Sequence, residues 1–290
     1  RAVFYFSYRL ITIREHGHMG LLDGKKGVIF GIANDRSYAY YIAQALIREG
    51  AECMFTYLPF GKMEHRVRKA VEGLGVSDPW LEPCDASKDE SLDEVFAKIA
   101  KDTEGSGGID FIVHSIAFAD KDYLRQDMFH KTPRDVFVNA MDVSAYTLLG
   151  MSQRAMPLMK EGGSILSMTY FGGEKVIPGY NVMGVAKACL EHTNRYLAYE
   201  LGDAGRNIRV NTISAGPFKT LAGAGVGGID DMIKYQEFAA SMKRCNTGEE
   251  VGDTAVYLLS DMASGVTGET IHVDCGFSIV GVPPKPGDVG

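Results

Sequence analysis

The sequence predicts one α/β domain: a doubly wound, parallel sheet of seven strands flanked by helices on both faces. Three observations predict it. Short, nearly unbroken apolar runs such as Val28-Ile29-Phe30 and Phe111-Ile112-Val113 recur along the chain, as strands buried on both faces require. Between them lie stretches whose apolar residues repeat at helical spacing. The chain also opens on a strand, a tight loop, a helix and a second strand, which makes a parallel pair with a right-handed crossover. No internal repeat or linker interrupts 19–280, so a single domain is expected there.

The first strand, 25–31, ends on Gly31, and a polar loop leads to Ser37, a natural N-cap. The helix 38–49 carries Ala39, Ile42, Ala43, Leu46 and Ile47 on one face and stops at Gly50. The second strand is 51–57. Free backbone N–H groups and the positive end of the helix dipole suit this loop to a pyrophosphate. The pattern G-x-G-x-x-G is absent: Gly31 stands alone, Ser37 occupies the place of the third glycine, and Ala39 is small enough for close packing. At Tyr57 and Leu58 there is neither a carboxylate for a ribose nor an arginine for a 2′-phosphate. Lys62, His65 and Arg66 belong to the solvated helix that follows, and the balance points to NADH over NADPH.

The third strand, 80–84, ends at Asp85, which either accepts from an adenine amine or caps a helix starting near Lys88 or Ser91. The fourth, 109–114, is followed by Ser115-Ile116-Ala117-Phe118-Ala119 at the end where open α/β sheets bind ligands. His114 reads as a satisfied core histidine. One long helix is expected over 132–159, with Pro133 at its first position and Val136, Val143, Tyr146, Leu149 and Met156 on its apolar stripe. The fifth strand is 163–170. A helix from Tyr180 to about Leu201 carries Val182, Val185, Ala186, Cys189, Leu190, Thr193 and Leu197, a face for the sheet or for a second subunit. The sixth strand, 208–213, leads to Ser214-Ala215-Gly216-Pro217. The Gly- and Ala-rich stretch 221–228 and a helical flap over 229–242 are read as a mobile lid, about 221–242, against the plainer reading of a surface loop. A helix over 249–259 and a seventh strand, 270–273, complete the domain.

A formal net charge of −7 argues against nucleic acid as a partner, and no run of eighteen apolar residues could span a membrane. The five cysteines are odd in number and form no C-x-x-C pair, which argues against a disulfide framework or zinc site and for a reducing compartment. The seven histidines form no metal-ligand cluster. Residues 1–18 are expected to be a poorly ordered leader or extension, and 281–290 a tail without regular structure.

Chemistry concentrates between Tyr170 and Lys187. Lys187 follows Tyr180 by seven positions, which on one helix brings the two to nearly the same face, ~10 Å apart along the axis. A lysine stem leaning toward the helix N-terminus closes much of that gap. A phenol held near an ammonium is a polarised donor for a developing oxyanion, which suits proton or hydride chemistry beside a carbonyl.

Together these motifs closely resemble the enoyl-acyl-carrier-protein reductases of bacterial fatty-acid synthesis, a divergent branch of the short-chain dehydrogenase/reductase superfamily with a Rossmann-like fold. The resemblance covers about 21–280. It rests on Gly31-Ile32-Ala33 through Ser37-Tyr38-Ala39, on His114 through Ala119, on Tyr170 with Tyr180 through Gly184 and Lys187, on Ile213 through Pro217, and on His272-Val273-Asp274. Typical short-chain dehydrogenases carry Y-x-x-x-K; the longer tyrosine–lysine spacing here separates the branches. The resemblance implies that Gly31, Ser37 and Tyr38 line a pyrophosphate site and that Asp85 and Ala86 line an adenine pocket. It implies that Ser115 binds the cofactor, that Ile116 flanks the nicotinamide side, and that Phe218, Lys219, Thr220, Leu221 and Ala222 close over the pyrophosphate and nicotinamide amide. Lys187 would hold the nicotinamide ribose and tune Tyr180. Tyr180 would donate to the substrate, with Ala119, Tyr170 and Met183 beside it, and Tyr170 either catalyses or only lines the acyl pocket. Cys275 stands where the family commonly has glycine, and Leu58 where a polar residue often meets the adenosine.

The resemblance further implies a cytoplasmic homotetramer that reduces trans-2-enoyl thioesters on acyl carrier protein with NADH and is inhibited by triclosan-like phenols. Lys219, Lys234, Lys243 and Arg244 are candidates for docking an acidic carrier, or are scattered solvated charges. Two alternatives stand beside this reading: a reductase of the same superfamily acting on CoA esters or ketones, and a non-catalytic dinucleotide-binding sensor.

Overall fold

A computed structural model of the chain describes residues 20–218 and 229–282. The apolar runs pair as seven parallel strands: β1 (Lys26–Phe30), β2 (Glu52–Tyr57), β3 (Leu81–Pro83), β4 (Ile109–His114), β5 (Met159–Thr169), β6 (Arg209–Ala215) and β7 (Thr270–Val273). Their order is β3-β2-β1-β4-β5-β6-β7, so the winding reverses between β1 and β4. Gly27 pairs with Phe111 and Phe30 with His114 across that switch.

Successive strand residues point to opposite faces, and each face has its own core. Ile29, Phe55, Phe111 and Ile213 pack with helices α1 (Tyr38–Arg48), α2 (Met63–Glu72) and α8 (Gly248–Leu259). Val28, Phe30, Ile112 and Val210 pack with α3 (Asp89–Thr103), α5 (Thr147–Ala155) and α6 (Asn181–Leu201). Two further helices are α4 (Arg134–Met141) and α7 (Ile229–Ala239). Each fully buried large apolar side chain contributes about 1.5–3 kcal/mol, so the two cores supply most of the stabilisation. Ser37 caps α1 through its side chain, and Thr247 and Glu250 form a capping box at the start of α8. Gly252 lets α8 approach α1: a Cβ there would lie 2.6 Å from the Tyr41 carbonyl oxygen.

Several boundaries differ from the sequence expectations, among them the end of β6, which runs to Ala215 rather than 213. The expected helix 132–159 is broken by a π-helical turn, Asp142–Tyr146, between α4 and α5, and Pro133 is its N-cap rather than its first helical residue. The wider turn rotates Ser144 and Thr147 inward, while Tyr146 and Leu149 of the expected core stripe are 48% and 42% exposed. β5 begins at Met159, not Gly163: it pairs with Ile109, bulges, and resumes register at Ser164 opposite Phe111. The flap helix ends at Ala239 rather than near 242, in a turn where Lys243 takes a positive φ of 54°. The expected leader, the glycine-rich part of the lid with Lys219, Thr220, Leu221 and Ala222, and the tail from 283 lie outside the described residues.

Candidate active site

The switch between β1 and β4 opens a crevice whose floor is bare backbone. Gly31 has φ 101°, a conformation that side chains disfavour, and a Cβ on it would run into the Ser115 carbonyl. Ser115 N donates to Phe30 O at 3.0 Å, tying the two strand ends together. Beside them, Ser37 Oγ accepts from Tyr40 N at 3.3 Å and donates to Asn34 O at 2.9 Å. The first N–H groups of a helix have no intrahelical acceptor, and no acidic side chain stands in the first turn of α1. A glycine cradle beside a positive helix end whose first turn carries no acidic side chain fits a dinucleotide pyrophosphate.

Tyr38 joins three distant segments. Its hydroxyl donates to Gly216 O at 2.8 Å and accepts from Asn246 Nδ2 at 2.9 Å, and its ring stacks on Phe218 with centroids 5.1 Å apart. Burial raises its phenol above the ordinary range, so it stays a neutral tether. Asp85 does not cap α3, whose N-cap, Lys88, makes no side-chain cap bond. Its Oδ1 accepts from Ser87 Oγ at 2.7 Å, and its Oδ2 lies 3.2 Å from Lys88 Nζ. Partial burial raises this carboxyl, but the bonds from Ser87 and Lys88 outweigh that and hold it below its usual range. Ala86, next to it, is buried in the α3 core. A carboxylate does stand near the end of β2, but from α2: Glu64 accepts from the Tyr57 hydroxyl at 3.2 Å.

The loop after β4 is held by the π turn. Ser144 Oγ accepts from Phe118 N and donates to Phe118 O, both at 3.0 Å, which fixes the stretch from Ile116 to Ala119. His114 is fully buried, with Nε2 2.8 Å from Thr147 Oγ1. Thr147 Oγ1 donates to Val143 O, so it accepts from His114 and the ring carries its proton on Nε2. Burial, then the Lys187 charge, push His114 down to about 3. It is thus a neutral core histidine as expected, though its Nδ1 has no partner among the described residues.

Tyr170, Tyr180, Met183 and Ala119 do come together, in a small cluster with Leu124 and Ala140. The Tyr170 and Tyr180 rings meet edge to face with centroids 5.0 Å apart. Tyr180 is the N-cap of α6, and the next residue, Asn181, has φ 44°. That strained position is held by its side chain, whose Nδ2 donates to Tyr123 O at 2.7 Å and Arg125 O at 2.6 Å. Tyr180 is 8% exposed. Burial, then Tyr170 and Glu191, keep the proton on the phenol. Lys187 Nζ donates to Met168 O at 2.7 Å. Burial pushes the lysine down to about 8, with Glu191 opposing.

In front of Tyr170 lies a cavity of about 680 Å³, lined mainly by apolar groups including Phe171, Ile177, Met232, Tyr235 and Phe277. Met232 and Tyr235 come from α7, so the described part of the expected flap forms one wall. The basic residues that line it are Arg125 and Lys175. Of the cations expected to dock a carrier, Arg244 is engaged by Glu250 at 2.6 Å and Lys243 donates to Phe238 O at 2.9 Å, which leaves Lys234 the more solvated.

A family model described as enoyl-(acyl carrier protein) reductase matches residues 31–278. The chain belongs to the enoyl-(acyl carrier protein) reductase family. A relative from Rhizobium meliloti, an enoyl-[acyl-carrier-protein] reductase [NADH], is 48% identical, over 91% of this chain and 93% of its own. The enoyl-acyl carrier protein reductase of Bacillus cereus, solved with NADP+ and an indole naphthyridinone, superposes with a TM-score of 0.85 at 46% identity, covering 91% of this chain and all of that one. The Anaplasma phagocytophilum reductase, solved with NAD, gives 0.84 at 44% identity, covering 92% of this chain and 98% of that one. In this member of the enoyl reductase family, sequence reasoning missed Ser144, Asn181 and Asn246 as supports of the site. Only Asn181 carried a local signal, as a residue that tolerates positive φ at a helix start.

Proposed function

We propose that this chain reduces the carbon–carbon double bond of a trans-2-enoyl thioester on acyl carrier protein, with NADH, in fatty-acid elongation. The observation that carries the reading is Tyr180: a buried, protonated phenol behind an apolar cavity and close to the sheet's switch point. Bound NADH supplies the hydride to the β-carbon. Negative charge then gathers on the thioester oxygen, and Tyr180 donates a hydrogen bond to it where little water competes. Lys187 holds the cofactor's ribose hydroxyls, and its bond to Met168 O anchors the amine in the meantime. Gly31, Ser37 and Tyr38 shape the pyrophosphate site, Asp85 and Ala86 the adenine site, and Ser115 and Ile116 the nicotinamide side. Phe218 with Lys219, Thr220, Leu221 and Ala222 closes over it. Tyr170, Ala119 and Met183 line the acyl entrance.

The test is initial-rate oxidation of NADH or NADPH with crotonyl-CoA, the carrier-bound enoyl thioester and a β-keto thioester. Faster turnover of the carrier-bound enoyl substrate with NADH is expected. Turnover of the keto thioester alone, or cofactor binding without turnover, would sink the reading.

Assembly is part of the proposal. Phe137, Val138, Tyr146, Leu149 and Val185 expose an apolar surface across α4, α5 and α6. A second copy of the chain covers such a face in a symmetric oligomer. A homotetramer in the cytoplasm is the expected form, and light scattering on the purified protein checks its mass. Among the described residues, no helix is long and apolar enough to cross a membrane.

A further inference from the structure

Glu191 lies one helical turn beyond Lys187 on α6 and is 3% exposed. Its Oε1 accepts from Thr169 Oγ1 at 2.7 Å, while Lys187 Nζ donates to Met168 O at 2.7 Å. Met168 and Thr169 are the last two residues of β5. The amine and the carboxylate are thus pinned to adjacent positions of the strand that leads into Tyr170. The turn Phe171–Gly173 closes over the carboxylate, and a Cβ on Gly173 would collide with Glu191 Oε1. The fold has kept this space clear for a buried anion.

An ammonium as buried as Lys187, 6% exposed, is costly unless an opposite charge accompanies it. Burial moves it toward its neutral form, and Glu191 is the group that acts the other way. On balance burial raises the Glu191 carboxyl above its ordinary range, with Glu174 adding to it, while the Thr169 hydroxyl, Arg195 and His272 favour the ionised carboxylate. The other titratable neighbours are accounted for. His114 from β4 is neutral, and Tyr170 and Tyr180 keep their protons. On the outer side of Glu191 stand Arg195 and the pair His272–Glu174, whose Nε2 and Oε1 are 2.6 Å apart.

We propose that Glu191 is a positioning residue for the reaction: the buried counter-charge that keeps Lys187 an ammonium able to donate to the cofactor's ribose. The proposal rests on the reading of Lys187 given above. An amine whose folded-state proton affinity is already depressed loses its proton as pH rises through about 8. Without Glu191 that loss occurs at lower pH, so cofactor binding fails earlier on the alkaline side and is restored by acidification.

The experiment is the dissociation constant of NADH, by fluorescence titration from about pH 6 to about pH 9, for the wild type, Glu191→Gln and Lys187→Met. Gln keeps the shape and the acceptor for Thr169, and a thermal melt checks that the variant is folded. The expected result is near-wild-type binding by Glu191→Gln at the acid end, about fivefold weakening near pH 8 that approaches about tenfold at pH 9, and an alkaline limb moved down by about one unit. A Glu191→Gln curve that superimposes on the wild type, or that is weaker by the same factor at every pH, overturns the proposal while Lys187→Met still differs from the wild type. If Lys187→Met itself binds like the wild type throughout, the Lys187 reading fails and the proposal with it.

Discussion

Replacing Tyr180 by Phe removes one oxygen and little else. The ring keeps its edge-to-face contact with Tyr170 at 5.0 Å and its packing against Gly172. With the ring packing retained, stability should stay within about 0.5 kcal/mol of the wild type. The rate is another matter. A donor that meets charge only as it forms, in a site 8% exposed, is worth about 3–4 kcal/mol, or about two to three orders of magnitude in kcat. An interaction made only in the transition state lowers kcat and kcat/KM together. The assay is steady-state NADH oxidation with an enoyl thioester, run beside a thermal melt. Tyr170→Phe provides the comparison: a change confined to KM assigns it to pocket lining, and a matching fall in kcat assigns it to catalysis. A Tyr180→Phe enzyme that retained kcat within about threefold of wild type would refute the donor argument, since that residue of about 0.7 kcal/mol is less than a single oxyanion contact supplies.

Gly31→Ala puts a Cβ against the Ser115 carbonyl at a φ of 101°; a lowered melting temperature and loss of measurable NADH binding are expected by titration. Thr247→Ala removes the capping box of α8 and should cost about 1 kcal/mol, seen as a melting point lower by about 2–4 °C with unchanged kcat per folded molecule. His114 is held neutral down to about 3 in the folded chain but takes a proton below about 6.5 when unfolded. The unfolded state therefore binds more protons on the acid side, and stability falls as pH drops from about 6.5, with a slope of up to about 1.4 kcal/mol per unit from this group. Urea titrations of His114→Gln should show a shallower acid slope than the wild type; equal slopes would contradict the assignment.

What the sequence made legible followed from local signals. The bounds of β4 were readable as an apolar run, and the ends of α1 were readable from Ser37 and Gly50. Tyr180 and Lys187 were recognisable because seven positions on one helix is a local spacing. The π turn was not legible, since an inserted residue leaves the composition of a helix unchanged. Tyr146 and Leu149 show a second limit: amphipathic spacing reveals an apolar stripe but not whether the chain's own sheet covers it. The contact of Asn246 with Tyr38 spans 208 positions and has no sequence trace. Glu191 had one, its spacing of four from Lys187, but that spacing acquires meaning only once both side chains are seen on neighbouring residues of β5.

The extra residue within Asp142–Tyr146 acts as an angular spacer between two otherwise ordinary helical rods. Side-chain swaps there alter chemistry but leave the phase alone, whereas excising one position would turn everything downstream by about 100°. Thr147 would swing off His114 and Leu149 would leave the outer surface, with no buried hydrocarbon removed. Apart from Ser144, whose hydroxyl holds Phe118, the segment can therefore vary in letters but not in length.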